Sequence, residues 1–448
     1  MDVERASATD RAFLAMDCGT IPEQIGVVLR LGPGAPGLGR VRELVDARAR
    51  AMPRLRQRLV PPPVGCGGPI WVDDAGFDVR RHVTERACPA PGDERALLDV
   101  AVGVVMTRLE PSAPLWSVTV VTGLDDGGVA LVVVLHHVLA DGMGGLAVLM
   151  ALTDGPAVEA AADPRFPRPT PSAVDLARDA WRARVRSVGR LPGSWRLLRR
   201  TLSAGGGLRP VRAAGCSLNC RTGQRRAVAV VTVDRLRLGE AAHRAGATTN
   251  DAVLVAVADA LSDVLRLRGE SVDPLVVTVP VSGRGTGSSD GQLGNLVSPL
   301  LVDVPTAGPL GERLSRVGAA VRAGKGAAVG PPPIAALGWL FRPLARAGGF
   351  RFYLNHQHRF HTLVSHVRGP DRPVTFGGEA VRSAIPLAMG DGGNQTVYFQ
   401  VLSYADALAV TAVADPDHFG ELDQFADSLR GHLEQIIATV GRPEAEAR

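Results

Sequence analysis

Two imidazoles, a carboxylate and a glycine fall within seven residues, His136-His137-Val138-Leu139-Ala140-Asp141-Gly142. Imidazole is the side chain whose ordinary pKa lies close to neutrality, so it can accept a proton and return it. Such a base also needs a fixed tautomer, which a nearby carboxylate or carbonyl commonly supplies. Gly142 permits a backbone conformation that a Cβ would penalise. The competing reading is a histidine pair at a strand end that only hydrogen-bonds its own loop.

The stretch needs a rigid support. Val129 to Leu135 is an unbroken aliphatic run and reads as a strand buried on both faces. The imidazoles thus fall where this strand gives way to a turn, a placement that fixes a base and leaves it open. Ahead of it the pattern predicts a strand over Ile25 to Leu31, a helix over Val41 to Ala51 and a strand over Leu115 to Thr122. Leu146 to Leu152 predicts a helix behind the motif. Prolines between Asp163 and Pro171 mark a linker. Beyond it the pattern predicts strands over Ala227 to Val233, Leu275 to Val281, Val297 to Val304, Thr362 to Val367, Thr396 to Tyr404 and Leu408 to Val413. Helices are predicted over Asn250 to Leu265 and Glu421 to Val440.

At 448 residues the chain is too long for one ordinary core. The expected division is a first lobe over 1–160, a Pro/Arg-rich linker and bridging helix over 161–215, and a second lobe over 216–448. No window supplies a membrane-spanning run and no apolar signal core follows Met1. A cytoplasmic location is expected, with peripheral attachment to the inner face of a membrane as a variant. Five scattered cysteines, Cys18, Cys66, Cys88, Cys216 and Cys220, read as reduced thiols. The net charge of +5 rests on arginine, because Lys325 is the only lysine. Arginine suits phosphate-bearing ligands such as coenzyme A or lipid head groups. Nucleic acid is disfavoured, since the basic residues are not interleaved with stacking aromatics.

Three other features have ordinary readings. Gly32 to Gly37 fits G-x-G-x-x-G, but two prolines remove donors and no acidic residue lies about 20 positions on; it reads as a βα turn. His356, His358, His361 and His366 crowd together without cysteine or carboxylate, so a polar cluster lining a tunnel is expected in place of a metal. The Arg-rich segment from Leu176 to Leu202, with Trp181 and Trp195, reads as a bridging helix packed on the protein before it reads as a membrane-surface helix. Pro331 to Leu354 is a second candidate for apolar surface.

Several segments, in order along nearly the whole chain, resemble the bacterial wax ester synthase/diacylglycerol acyltransferase family, within the His-His-x-x-x-Asp-Gly acyltransferase superfamily. They are Pro114-Leu115-Trp116, Asn250-Asp251, Val279 to Arg284 with Gly294-Asn295, and Ser365-His366-Val367-Arg368-Gly369-Pro370. The last looks like Ser-Asn-Val-Pro-Gly-Pro with His366 and Arg368 in place of asparagine and proline, which leaves acceptor preference open. The resemblance implies an α/β fold with mixed sheets, made of two chloramphenicol-acetyltransferase-like lobes in a V with a tunnel at their interface. It implies His137 as general base, His136 as the partner that orients the loop, and Asp141 holding the loop through Arg284. Asn250, Asn295, Pro114 and Trp116 would support the site. Ser365, His366, Gly144 and Gly145 would line the channel, with amides from Gly142 to Gly145 as oxyanion donors.

The implied reaction moves a fatty acyl group from acyl-coenzyme A, a substrate, to diacylglycerol or a long-chain alcohol, with no cofactor. A membrane or lipid-droplet surface is a further expected partner. With an unperturbed imidazole, activity is expected to rise with pH near ~6.5. The alternatives are a condensation-type acyltransferase using a carrier-protein donor or an amine acceptor, and a lipid-binding protein that keeps the fold without the chemistry.

Overall fold

The computed structural model describes residues 3–17, 19–139, 142–154, 165–188, 212–282, 297–327, 345, 347–390 and 392–440. The first half contains α1 (Ala8–Met16), β1 (Gln24–Leu31), α2 (Leu38–Ala51), β2 (Gln57–Val60), β3 (Ile70–Asp73), β4 (Val83–Ala87), α3 (Glu94–Met106), β5 (Trp116–Thr122), β6 (Val129–His136), α4 (Gly142–Leu152) and α5 (Ala173–Val188). The second contains β7 (Ala227–Asp234), α6 (Arg235–Arg244), α7 (Thr249–Leu267), β8 (Leu275–Ser282), β9 (Val297–Val304), α8 (Leu310–Ala327), α9 (Gly349–Asn355), β10 (Thr362–Arg368), β11 (Thr375–Phe376), β12 (Glu379–Met389), β13 (Val397–Tyr404), β14 (Ala407–Ala414) and α10 (Leu422–Val440).

Two six-stranded mixed sheets carry the fold, in the orders β11-β12-β1-β6-β5-β4 and β7-β14-β13-β10-β8-β9. In the first, β6 is central, with β1 and β5 antiparallel on either side. Six of its eight residues are aliphatic and buried, which explains the unbroken apolar run. In the second, α7 runs through the apolar core, with Ala252 to Leu261 almost free of solvent apart from Asp259. A capping box starts it: the Asp251 amide donates to Thr248 Oγ1, and the Asp251 carboxylate accepts from the Thr248 amide.

The boundary drawn at residue 216 is crossed. β12 comes late in the chain yet pairs antiparallel with β1 from Gln24↔Met389 to Leu31↔Val381, and so completes the first sheet. The sequence pattern predicts no strand there, where Pro386 interrupts the apolar run. Among the described residues the other side of β12 has no ladder partner past Ala380, the kind of open edge on which proline is tolerated. Gly26 lets this packing close. A Cβ there would lie 2.6 Å from Val105 Cγ2 and 2.8 Å from the Leu387 carbonyl.

The Gly32 to Gly37 stretch is the turn between β1 and α2. Helix α5 packs Leu176 and Ala180 inward, Leu176 against Cys66, Ile70 and Val72, while Trp181 stays two-thirds exposed. Residues 189–202 of the predicted bridging helix, and 331–344 and 346 of the second apolar segment, lie outside the described residues. Cys66, Cys88, Cys216 and Cys220 are free thiols. Among the described residues no helix is long and apolar enough to cross a membrane.

Candidate active site

His136 ends β6 and His137 begins the turn after it. The strand end is tied down on three sides. The His136 amide donates to the Leu115 carbonyl and the His137 amide to the Glu23 carbonyl, each at 3.0 Å. Gln24 sits opposite His136 in register and is itself fixed by bonds to Val105, Thr107 and Leu109. The Pro114-Leu115-Trp116 segment acts on the motif through this backbone bond. Pro114 is buried, and Trp116 donates its indole N–H to Leu55 and stacks on His82 at 4.5 Å.

The ring of His136 is locked in one tautomer. Nδ1 accepts from the Val138 amide at 2.9 Å, so the proton resides on Nε2, which donates to Asp17 Oδ2 at 3.0 Å. Burial raises the Asp17 carboxyl, but hydrogen bonds from His136 and Arg108 outweigh it and hold the group below its usual range. His136 is thereby an orienting group, held at both nitrogens.

His137 is placed differently. Phe13 stacks on its ring at 4.7 Å and an interplanar angle of 8°. The ring is surrounded by protein but keeps part of its surface open to a cavity of about 380 Å³. Burial, and secondly the neighbouring His136, push its pKa down to about 4. The ring is therefore not the unperturbed imidazole assumed above, because an apolar surround penalises the imidazolium.

Both sheets contribute to the cavity. Ile25, Val27, Val133 and Leu135 line it from the first, with Leu146 and Leu149 of α4. Leu363, Ser365, Val367, Gln400 and Leu402 line it from the second, with Pro280 of β8. The β10–β8 ladder pairs only Thr362 and Leu363, so the second sheet divides beside the cavity wall. Phe350 and Leu354 of α9 close one side. The lining is predominantly apolar with few polar groups, as suits a hydrophobic substrate.

The chain's similarity to known proteins agrees with this geometry. Residues 7–253 match the family described as "Wax ester synthase/diacylglycerol acyltransferase catalytic domain", and residues 293–437 match "WS/DGAT C-terminal domain". The chain belongs to the wax ester synthase/diacylglycerol acyltransferase family. A Mycobacterium tuberculosis relative named "Probable diacyglycerol O-acyltransferase tgs1" is 30% identical over 414 residues, 90% of this chain and 88% of the relative. The solved structure of the wax ester synthase/diacylglycerol acyltransferase from Marinobacter aquaeolei VT8 superposes with a TM-score of 0.67 at 22% identity, covering 98% of this chain and 100% of that one. The starter condensation domain of rhizomide synthetase RzmA, solved as a mutant with C8-CoA, superposes at 0.62 and 14% identity over 98% and 95% of the two chains. The two-lobed α/β fold of the family is therefore the fold of this chain.

Of the family motif residues, Ser365 and Gly145 line the cavity, and Gly144 is buried beside it in the first turn of α4, which Gly142 opens. Asp141, Arg284 and Asn295 lie outside the described residues. His366 is a correction. Successive residues of a strand face opposite sides, so Ser365 and Val367 look into the cavity while His366 and Arg368 look away, into a second pocket that also holds Asn250. The four clustered histidines do not line one tunnel. His361 is fully buried, bonded to Val276 and Ala214, and His356 stacks on Phe352 at the surface. Among the described residues no three metal-ligating side chains converge.

Phe13, Met16, Asp17 and Glu23 were not anticipated from sequence. A signal was available: Ser7 and Asp10 form a capping box ahead of Phe13-Leu14-Ala15-Met16, which marks a helix start. That helix places Phe13 and Met16 on the cavity and Asp17 beneath His136.

Proposed function

We propose that this protein is an O-acyltransferase that moves a fatty acyl group from acyl-coenzyme A to diacylglycerol or a long-chain alcohol. The observation that carries the reading is a low-pKa imidazole, His137, opening into an apolar cavity walled by both sheets. Family membership supports the reaction class. His137 removes the hydroxyl proton as the alcohol oxygen bonds to the thioester carbonyl carbon. The resulting oxyanion collapses, the carbon–sulfur bond breaks, and the departing sulfur takes the proton back from His137. General-base assistance contributes ~10²–10⁴-fold, so positioning and charge stabilisation supply the remainder. Gly145 in the first turn of α4 lines the cavity, so the positive end of that helix dipole would face charge developing on the carbonyl oxygen. Asp141 and Arg284 would hold the motif loop.

Lipid delivery from a membrane or droplet surface fits the exterior of α9, where Phe352 and Tyr353 are exposed beside the cavity-lining Phe350 and Leu354. The test is thioester release measured over a panel of acyl-coenzyme A donors with diacylglycerol and long-chain alcohols. Release that no alcohol stimulates, with any donor, would overturn the reading.

A further inference from the structure

A second pocket, of about 590 Å³, lies behind the second sheet. It sits at the carboxyl ends of β7, β13 and β10, strands that run parallel through the register of the sheet. Helices α6 and α7 begin there, with Arg235 and Thr249-Asn250 at their first turns. Crevices at the carboxyl ends of parallel strands, faced by helix N-termini, collect donors and partial positive charge.

The side chains add full charges. Arg235, Lys325 and Arg368 line the pocket, and the lining carboxylate among the described residues is Glu240. Asp371 pairs with both Arg235 and Arg368, so part of their charge is compensated. Lys325, the single lysine of the chain, has no carboxylate within ion-pair distance among the described residues. His366 lies in this field, bonded to Ser403 Oγ at 2.9 Å, and burial followed by Lys325 and Arg368 pushes its pKa down to about 4. Asn250 Nδ2, also in the lining, is buried and has no hydrogen-bond acceptor. A buried donor without a protein acceptor, beside a lining of net positive charge, suits an anionic ligand.

We propose that this pocket binds the phosphate groups of the acyl-coenzyme A donor, seating its phosphorylated end while the thioester lies beside His137. The assignment rests on the donor named under the proposed function. Adjacent residues of β10 and β13 serve the two sites from opposite faces: Ser365 and Leu402 line the cavity, and His366 and Ser403 line the pocket. An extended donor arm passing the carboxyl edge of these strands joins them.

The test is isothermal titration of the full-length protein and of Lys325→Ala, Arg368→Ala and the double variant with coenzyme A, pantetheine and inorganic phosphate. Both side chains are exposed, so the variants should melt like the parent. The double variant should weaken coenzyme A binding by about tenfold or more and leave pantetheine unchanged. Inorganic phosphate should compete with coenzyme A. In turnover, KM for acyl-coenzyme A should rise at constant kcat, while an acyl-pantetheine donor is unaffected. Equal losses for coenzyme A and pantetheine, or none for either, would overturn the proposal. So would competition by phosphatidic acid vesicles without competition by coenzyme A, which would make this a phospholipid head-group site. A parent protein that turns over no donor defeats the acyltransferase reading alone, because the binding comparison still decides the pocket.

Discussion

With His137 as the proposed base, its burial sets the pH range in which the site would work. With a pKa of about 4 the ring is neutral, and able to accept a proton, throughout the neutral range. The pH profile of kcat/KM for acyl transfer should be level from about pH 5 to 8 and fall toward pH 4. A limb centred near ~6.5 would contradict that, provided chemistry limits the rate. The same shift ties stability to pH. The folded pKa lies below the unfolded value of about 6.5, so the unfolded chain binds more protons between them. This contribution is fully present above pH ~6.5 and lost as pH falls toward 4, and His366 acts in the same window. Denaturant melts from pH 4 to 7 check the sign. His137→Ala should lower transfer by at least ~10² while folding normally, and should flatten part of that slope. Asp17→Ala removes the acceptor that holds the His136 ring. A lost hydrogen bond to a charged group is worth about 1.5–3 kcal/mol. Roughly 10- to 10²-fold of kcat should go if that energy serves to position the loop, whereas a change in melting alone would mark Asp17 as purely structural.

At the scale of elements, the packing of β12 and α3 on β1 depends on the absence of a side chain at one position. Gly26→Val puts atoms into Val105 and the Leu387 carbonyl and should destabilise by about 1–3 kcal/mol, read as a lower denaturant midpoint at unchanged slope. How much of this was legible varies with the physics. The aliphatic run of β6 and the alternating strands of the second sheet were readable because burial on one or both faces writes itself into the residue pattern. β12 was not, because Pro386 looks like a stop unless the edge is known to be open. His366 could have been placed correctly, since β10 was expected as a strand and alternation alone separates it from Ser365. Phe13 and Asp17 could not have been joined to the motif by spacing: 119 residues separate Asp17 from His136, and only tertiary packing brings them together.

For the whole molecule, the late strand β12 makes the first sheet dependent on the second half of the chain. Residues 1–215 produced alone would expose the long apolar edge of β1, a hazard for aggregation. This fragment should be insoluble, and co-production with residues 216–448 should recover soluble material that co-purifies as a pair. A soluble, cooperatively melting 1–215 fragment would show that the borrowed strand is dispensable. The exchange also limits how the catalytic passage can widen. Halves joined by a shared ladder cannot swing open about a distant hinge without tearing backbone hydrogen bonds. Admission of a bulky lipid must come from sliding of one slab past the other, or from α9 lifting at the rim, so a cross-link spanning β1 and β12 should leave turnover intact while one pinning α9 should stop it.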